Sequence, residues 1–376
     1  MRGGCFVITR IIKYVTTIIV IIVVLFLLRV LENNISEQGV VEVVNTMKKD
    51  YYNGYGLEGD MQLSNEVIFE DEEVVCYSDR LLKKFSYDEK NTIHLSHALE
   101  GLLETCQEEK LVMVMPVPPR IITEDGWSEQ QDAYHKYIKN MESSLPGNVK
   151  LIDISTKLQD HKEEYIFFRT EASWTARGAY YAMEVLGDEM GIDTLKLEDY
   201  EEYMYKTFLG TQSLLTAEVY KDNPEYFSCI QNFVYDPTFY YQLPAGKNLV
   251  EIIRNDEGID YHTKQRMISV TKGGINTFVG GEWDRAIVEG DGRDVAVGEQ
   301  GIILVCDDRG KMIAPFLANY YKQVYLIDVV EYEDFSIKVN NIMNKYNVCN
   351  IILVQDCQTL GDISYSGALN GFANKQ

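Results

Sequence analysis

The chain has 376 residues, of which 35 are basic, 58 acidic and 46% hydrophobic, for a formal net charge of −23. Such a length permits one large or two ordinary domains with an ample core, and the acidic excess argues against a nucleic-acid partner and against docking on an anionic membrane. Seven cysteines show neither a C-x-x-C spacing nor a neighbouring His cluster, so neither the residues nor their spacing suggests a zinc site or any cofactor.

The first 31 residues hold four basic side chains (Arg2, Arg10, Lys13, Arg29) and no acidic one. Val15 to Leu28 is an unbroken run of apolar residues and threonine, and with Ile11, Ile12, Val30 and Leu31 it reaches the roughly 20 residues that cross a bilayer. Lys13 can snorkel to the headgroups. No small-residue cleavage pattern follows, so residues 11–31 read as an uncleaved signal anchor. A buried soluble helix fits less well, because the run has no polar face. Three of the basic residues precede the span, which places the N-terminus, with Cys5, in the cytoplasm and the rest of the chain outside. The remainder then carries a formal charge of −27. It also holds Cys76, Cys106, Cys229, Cys306, Cys349 and Cys357, of which Cys306 and Cys349 lie in apolar runs and read as buried thiols.

Residues 32–78 read as a juxtamembrane stalk, rich in Glu and Asn, with the glycosylation-type triplet Asn34-Ile-Ser36. From residue 79 to 376 the pattern is that of one domain. Leu81 to Gln107 has helical spacing, and Leu111 to Val117 is a short apolar run suited to a buried parallel strand. A helix over Ser128–Ser143, a strand over Val149–Asp153 and a helical stretch near Ser155–His161 follow. Tyr165 to Arg169 reads as a further buried strand, then a polar turn, then a helix opening at Thr175 with Gly178 and Ala179 packed inside its first turns. Residues 193–300 break the rhythm with short strands or loops (Tyr235–Leu243, Asn248–Arg254, Arg266–Thr271), an elaboration rather than a separate domain. Alternation returns with a strand over Gly301–Asp307, a helix over Lys311–Tyr321, a strand over Val324–Asp328, a helix over Phe335–Tyr346 and a strand over Val348–Gln355. The fold expected is α/β with a doubly wound parallel sheet.

Two strand-turn-helix junctions draw the chemistry. One is the tetrad Glu171-Ala172-Ser173-Trp174; the other is Cys306-Asp307-Asp308-Arg309-Gly310 followed by Ala314-Pro315-Phe316-Leu317. In α/β enzymes reactive groups are exposed at such strand ends. The first resembles the Asp-His-His-Trp signature of the DHHW family, relatives of the alginate O-acetyltransferase-like SGNH hydrolases. The second is similar to that family's Asp-Ser elbow with its downstream Pro-Phe-Leu. Met113 to Pro119, Phe208 to Ser213, Phe278 to Trp283, Val324 to Asp328 and Asn347 to Leu360 resemble further family segments in order, so the resemblance spans about 79–362.

The resemblance implies an SGNH-like fold and a Ser-His-Asp triad in which His takes the Ser proton and Asp fixes the His. Carried onto this chain, the triad positions hold Glu171 for Asp, Ser173 for His and Asp308 for the nucleophile, and Ala172 replaces the other His. Ser173 cannot serve as a base near neutral pH, and Asp308 cannot perform the acyl transfer of a serine. His161 and His262 are the histidines that could rescue a triad. If the turns converge, Glu171, Glu282, Asp307 and Asp308 would crowd one cleft and either repel, raising a pKa, or recruit Ca²⁺ or Mg²⁺; the favoured alternative is that Asp307 or Asp308 merely caps a helix. Trp174, Glu282 and Asp307 are candidates for lining a ligand cleft, although a Trp174 that locks the turn from inside is the commoner arrangement. Trp127 and Trp283, with the 26 tyrosines, could line a sugar groove, but ordinary packing explains the aromatic excess as well.

The family setting is O-acetylation of surface or exopolysaccharide beside a membrane-bound O-acyltransferase. With its catalytic positions substituted, the chain reads as a pseudoenzyme binding polysaccharide or a partner there. The alternatives are an active acetyltransferase or esterase with reorganised residues, and a structural surface protein.

Overall fold

The computed structural model of the chain describes residues 64–106, 111–208, 225–231, 238–242, 253–254, 260–261, 263–266, 285–290, 292, 300–330 and 338–373. The expected anchor at 11–31, Asn34, most of the stalk, His262, Glu282 and Trp283 lie outside these residues. None of the described helices is long and apolar enough to cross a membrane.

The folded body begins within the stretch expected to be stalk. Strands β1 (Val67–Glu70), β2 (Val74–Tyr77) and β3 (Leu81–Lys83) form an antiparallel sheet in that order. Alternation along β2 sends Val75 and Tyr77, with Leu82 of β3, into the main core, while Val74, Cys76 and Leu81 form a separate cluster on the other face. The acidic run Glu70-Asp71-Glu72-Glu73 disguised this hairpin as stalk; Asp71 in fact turns it, accepting from the amides of Glu73 and Val74. The expected helix from Leu81 therefore starts later, as α1 (Glu89–Thr105), because the Asp88 side chain caps it by accepting from Lys90 N.

Next come β4 (Leu111–Val117), α2 (Ser128–Ser144), β5 (Val149–Leu151), α3 (Ser155–Asp160) and α4 (Ala176–Met190). The region 193–300 supplies β6 (Glu201–Phe208), β7 (Glu225–Gln231), β8 (Thr238–Gln242), β9 (Ile253–Arg254), β10 (Asp260–Tyr261), β11 (Thr263–Arg266) and β12 (Arg285–Glu289). The chain continues through β13 (Gly301–Cys306), α5 (Asp308–Lys311), α6 (Ala314–Leu317), β14 (Gln323–Ile327), α7 (Val339–Tyr346), β15 (Val348–Asp356) and α8 (Ile363–Ala373). The single helix expected over Lys311–Tyr321 is two short ones: Asp307 caps the first, and Pro315 near the start of the second has no N–H to continue a helix but suits a first turn.

One eight-stranded sheet organises the body, in the order β11-β8-β12-β14-β13-β15-β4-β5. From β14 to β5 the strands run parallel, whereas β12, β8 and β11 join antiparallel. The sheet is thus mixed and parallel-rich, and the elaborated region extends it rather than merely decorating it. Ile303 and Val305 of β13 face the core made with α1, α2, α7 and α8, and the alternate residues Ile302 and Leu304 are equally buried on the other side. Parallel strands covered on both faces read as continuous apolar runs, as β13 and β15 do. The run Tyr165–Phe168 is buried but does not enter the sheet. Its bridge is to its own return, Phe167 to Trp174, and an apolar run alone does not reveal its partner.

A candidate site at the carboxyl ends of the central strands

β13, β15 and β4 are neighbours, and a crevice beyond the carboxyl ends of such strands is where α/β sheets bind ligands. At the end of β13, Asp307 turns its carboxylate back on its own backbone. Its Oδ1 accepts from Arg309 N at 2.9 Å and Gly310 N at 3.1 Å, and its Oδ2 accepts from Asp356 N at 3.1 Å. Two amides at the start of α5 are therefore spent on an internal cap. The turn is tight: a Cβ on Gly310 would stand 2.5 Å from Cys306 Cβ and 2.6 Å from Val354 O. Cys306 is buried, and that burial pushes its thiol pKa well up, which leaves it an inert core group.

The tetrad sits on a strap, residues 165–175, folded back on itself. Phe168 N donates to Ser173 O at 3.1 Å, Thr175 N donates to Ile166 O at 2.9 Å, and the Thr175 hydroxyl donates to Tyr165 O at 2.6 Å. Gly178, in the first turn of α4, lets the helix lie on this strap, since a Cβ there would collide with Ile166 O and stand 2.7 Å from Trp174 Cβ.

Arg309 joins the two turns. Its Nε donates to Ala172 O at 2.7 Å, its Nη1 to Asp307 Oδ2 at 2.9 Å, and its Nη2 pairs with Asp356 Oδ2 at 2.8 Å. Its carbonyl accepts the Trp174 indole N–H at 2.9 Å. Burial works against the guanidinium charge, but Asp356 and Asp307 more than compensate and raise its pKa. A planar fork with a donor for each of three acceptors suits this junction as a lysine could not.

The two turns thus meet, with Asp307 as the cap and Arg309 between them. Glu171 Oε1 accepts from the neighbouring Ala172 N at 3.0 Å. Ser173 is buried with its hydroxyl 3.9 Å from Met312 Sδ. Asp308, about half exposed at 55%, pairs with Lys311 Nζ at 2.5 Å. Burial lowers the Lys311 pKa, and the Asp308 charge overcomes that and raises it. Trp174 is fully buried and locks the strap from inside rather than lining a cleft, and Trp127 gives its indole N–H to Tyr77 Oη at 3.2 Å. Asp307 acts as a helix cap, and Arg309 supplies the positive charge beside it that a metal ion would otherwise bring. Among the described residues no group of three or more His, Cys, Asp or Glu could hold a metal ion. His161 is turned to other partners: its Nδ1 meets Glu164 Oε1 at 2.8 Å and its ring stacks on Tyr181 at 3.7 Å. Arg309 went unnoticed in the sequence, although an arginine directly after two aspartates at a strand end is a usable signal for an internal ion pair.

A second ionic group holds the same strap. Arg80 and Arg120 both bond the buried Glu124, Arg80 Nη2 at 2.8 Å and Arg120 Nε at 2.7 Å, and Arg120 Nη1 reaches Phe168 O at 3.4 Å. Leu81 N donates to Arg169 O at 2.8 Å. Burial alone would raise the Glu124 pKa, yet the two guanidinium groups pull it below the ordinary 4.5. A depressed carboxyl adds stability that is complete above its unfolded value and is lost as the pH falls through the folded one. Melting temperatures taken from pH 7 down to 3 should therefore fall more steeply below about 4.5 for the natural chain than for Glu124→Gln; parallel curves would contradict this role.

The family model described as DHHW protein matches residues 108–327. A DHHW family protein from Eubacterium siraeum has a similar structure, with TM-score 0.62 and 18% identity over 80% of this chain and 98% of that one. PatB1 of Bacillus cereus, solved with a sulfonyl adduct, aligns with TM-score 0.59 and 12% identity over 80% and 98%. The O-acetyltransferase domain of Pseudomonas putida AlgJ is a looser likeness, at TM-score 0.44 and 11% identity over 80% and 99%. No curated protein matches the sequence significantly.

Proposed function

The chain belongs to the DHHW family, and from that membership we propose that it is a catalytically silent member that binds polysaccharide or a partner protein in surface-polysaccharide O-acetylation. The observation that carries this reading is the Arg309 bridge. Where the resemblance places a nucleophile and its base, the chain has Asp308 and Ser173, and the space between their turns is crossed by a guanidinium bonded to Ala172 O, Asp307 and Asp356. Acyl transfer needs an activated nucleophile, a base and free donors for the developing oxyanion. Here the elbow amides of Arg309 and Gly310 are committed to Asp307.

The proposed setting is the outer face of the cell membrane, with residues 11–31 as the anchor and a membrane-bound O-acyltransferase as a neighbour. The long apolar run, the basic residues before it and the acidic remainder support that placement. In assays of the purified chain, p-nitrophenyl acetate should be hydrolysed no faster than in buffer, and no acetyl group should pass to polysaccharide. Turnover that disappears in Asp308→Asn or Glu171→Gln would overturn the silent reading. Glycan-array binding by the same preparation would identify a polysaccharide ligand.

A further inference from the structure

Strand β1 stands at the edge of its three-stranded sheet and pairs with β2 on one side alone among the described residues. It presents Val67, Ile68 and Phe69 to solvent at 47%, 49% and 49% exposure. Three consecutive apolar residues on an edge are a liability that most proteins avoid. Val67 pairs with Tyr77 and Phe69 with Cys76, so Ile68 is an extra, bulged residue that breaks the alternation of the strand, and every residue of β1 is exposed.

Carboxylates surround the apolar trio. Glu66 precedes it, Glu70, Asp71, Glu72 and Glu73 follow it, and all five residues are exposed. Glu70 pairs with Lys84, and Asp71 turns the hairpin. A second copy of the chain makes a poor occupant. Antiparallel pairing of two β1 strands about Ile68 would set Glu66 of one copy opposite Glu70 of the other at both ends, and like charges facing across a ladder destabilise it. A membrane rich in anionic lipid is disfavoured by the same charges.

We propose that β1 is a docking edge for an extended segment of a partner protein that combines apolar residues with lysine or arginine. Such a segment would lay its apolar side chains on Val67, Ile68 and Phe69, add as a fourth strand to the edge that no described strand pairs, and set its cations against Glu66 and the Asp71–Glu73 run. The edge lies outside the Arg309 site, so this partner surface stands whether or not that site is silent.

The test uses the full chain in detergent micelles at 150 mM salt, with a fluorescein-labelled nine-residue peptide of alternating lysine and valine and a matched glutamate–valine peptide. Fluorescence anisotropy should give saturable binding of the lysine peptide at least ten-fold tighter than the glutamate peptide. Phe69→Ser, Val67→Ser and the pair Glu66→Lys with Glu72→Lys should each weaken it ten-fold or more. These residues are exposed, so their melting temperatures should match that of the natural chain. Reversal of the exposed Glu198 should leave binding unchanged. No saturable binding, equal loss on Glu198→Lys, or binding indifferent to Phe69 would overturn the proposal. So would a photo-crosslink from position 69 to a second copy in place of the peptide.

Discussion

Arg309→Ala should lower the stability of the chain by about 3 kcal/mol, since removal of one partner from a largely buried ion pair leaves uncompensated charge. The side chains of Arg309, Asp307 and Asp356 are 21%, 16% and 9% exposed, so the two carboxylates would face each other with little water between them. Ala172 O would lose its donor at the same time. For a domain of this size such a loss moves the melting temperature by roughly 5 °C. Arg309→Lys should fall between, because an ammonium keeps the charge but cannot bond three acceptors set in a fork. Asp356→Asn on the alanine background should recover part of the loss by removing one of the stranded charges. A drop under about 1 kcal/mol for Arg309→Ala would mean that the two turns are held by packing and not by the guanidinium.

Gly178→Ala should be comparably costly despite adding a single methyl group. The new Cβ would run into the backbone oxygen of Ile166, with Trp174 Cβ 2.7 Å away, and neither is the end of a flexible side chain. Helix α4 must then lift from the strap, which strains the Thr175 N to Ile166 O bond and unseats the fully buried Trp174. Overpacking against backbone of this kind costs about 1–3 kcal/mol. Gly367→Ala in α8 is the control, since a Cβ there meets nothing within 4 Å. Replacing glycine within a helix should stabilise by about 0.5–1 kcal/mol. Opposite signs in thermal melts, together with loss of near-ultraviolet ellipticity only for Gly178→Ala, would identify collision rather than helix propensity as the cause. Two variants of the same sign would contradict it.

These two residues also show how far the sequence could be read. The buried strands β4, β13 and β15 were legible because parallel strands covered on both faces are continuous apolar runs. The closeness of Gly178 to its surroundings was legible too, because small residues early in a helix commonly mark a close approach. Strand pairing was not. The Tyr165–Phe168 run looked like another sheet strand and instead pairs with its own return at Trp174. The region 193–300 looked like an elaboration of short strands or loops, and its β8, β11 and β12 extend the main sheet. β1 and β2 were hidden by the carboxylates around them, although β2 feeds the core through Val75 and Tyr77.

The site divides in the same way. The resemblance assigns residues to triad positions by asking only which residue occupies a place. The bridge was not legible in this way, because it depends on where the Arg309 side chain goes once two turns that are 135 residues or more apart meet. The strand order, with β15 beside β13, sets Asp356 next to Asp307, and the strap, which lies outside the sheet, brings Ala172 O to the same guanidinium. Once that order is fixed, an arginine beside Asp307 and Asp356 has acceptors on three sides and becomes structural.

The most direct test of a silent site is covalent labelling of the elbow. The full chain would be incubated with phenylmethylsulfonyl fluoride, digested and read by mass spectrometry at the peptide that carries Asp307, Asp308 and Arg309. An activated nucleophile in an SGNH-like elbow would take the sulfonyl group, whereas a carboxylate paired with Lys311 and an elbow whose amides serve Asp307 should not. This peptide should keep its unmodified mass over hours of exposure. Stoichiometric sulfonylation within it, lost on Asp308→Asn, would contradict the account.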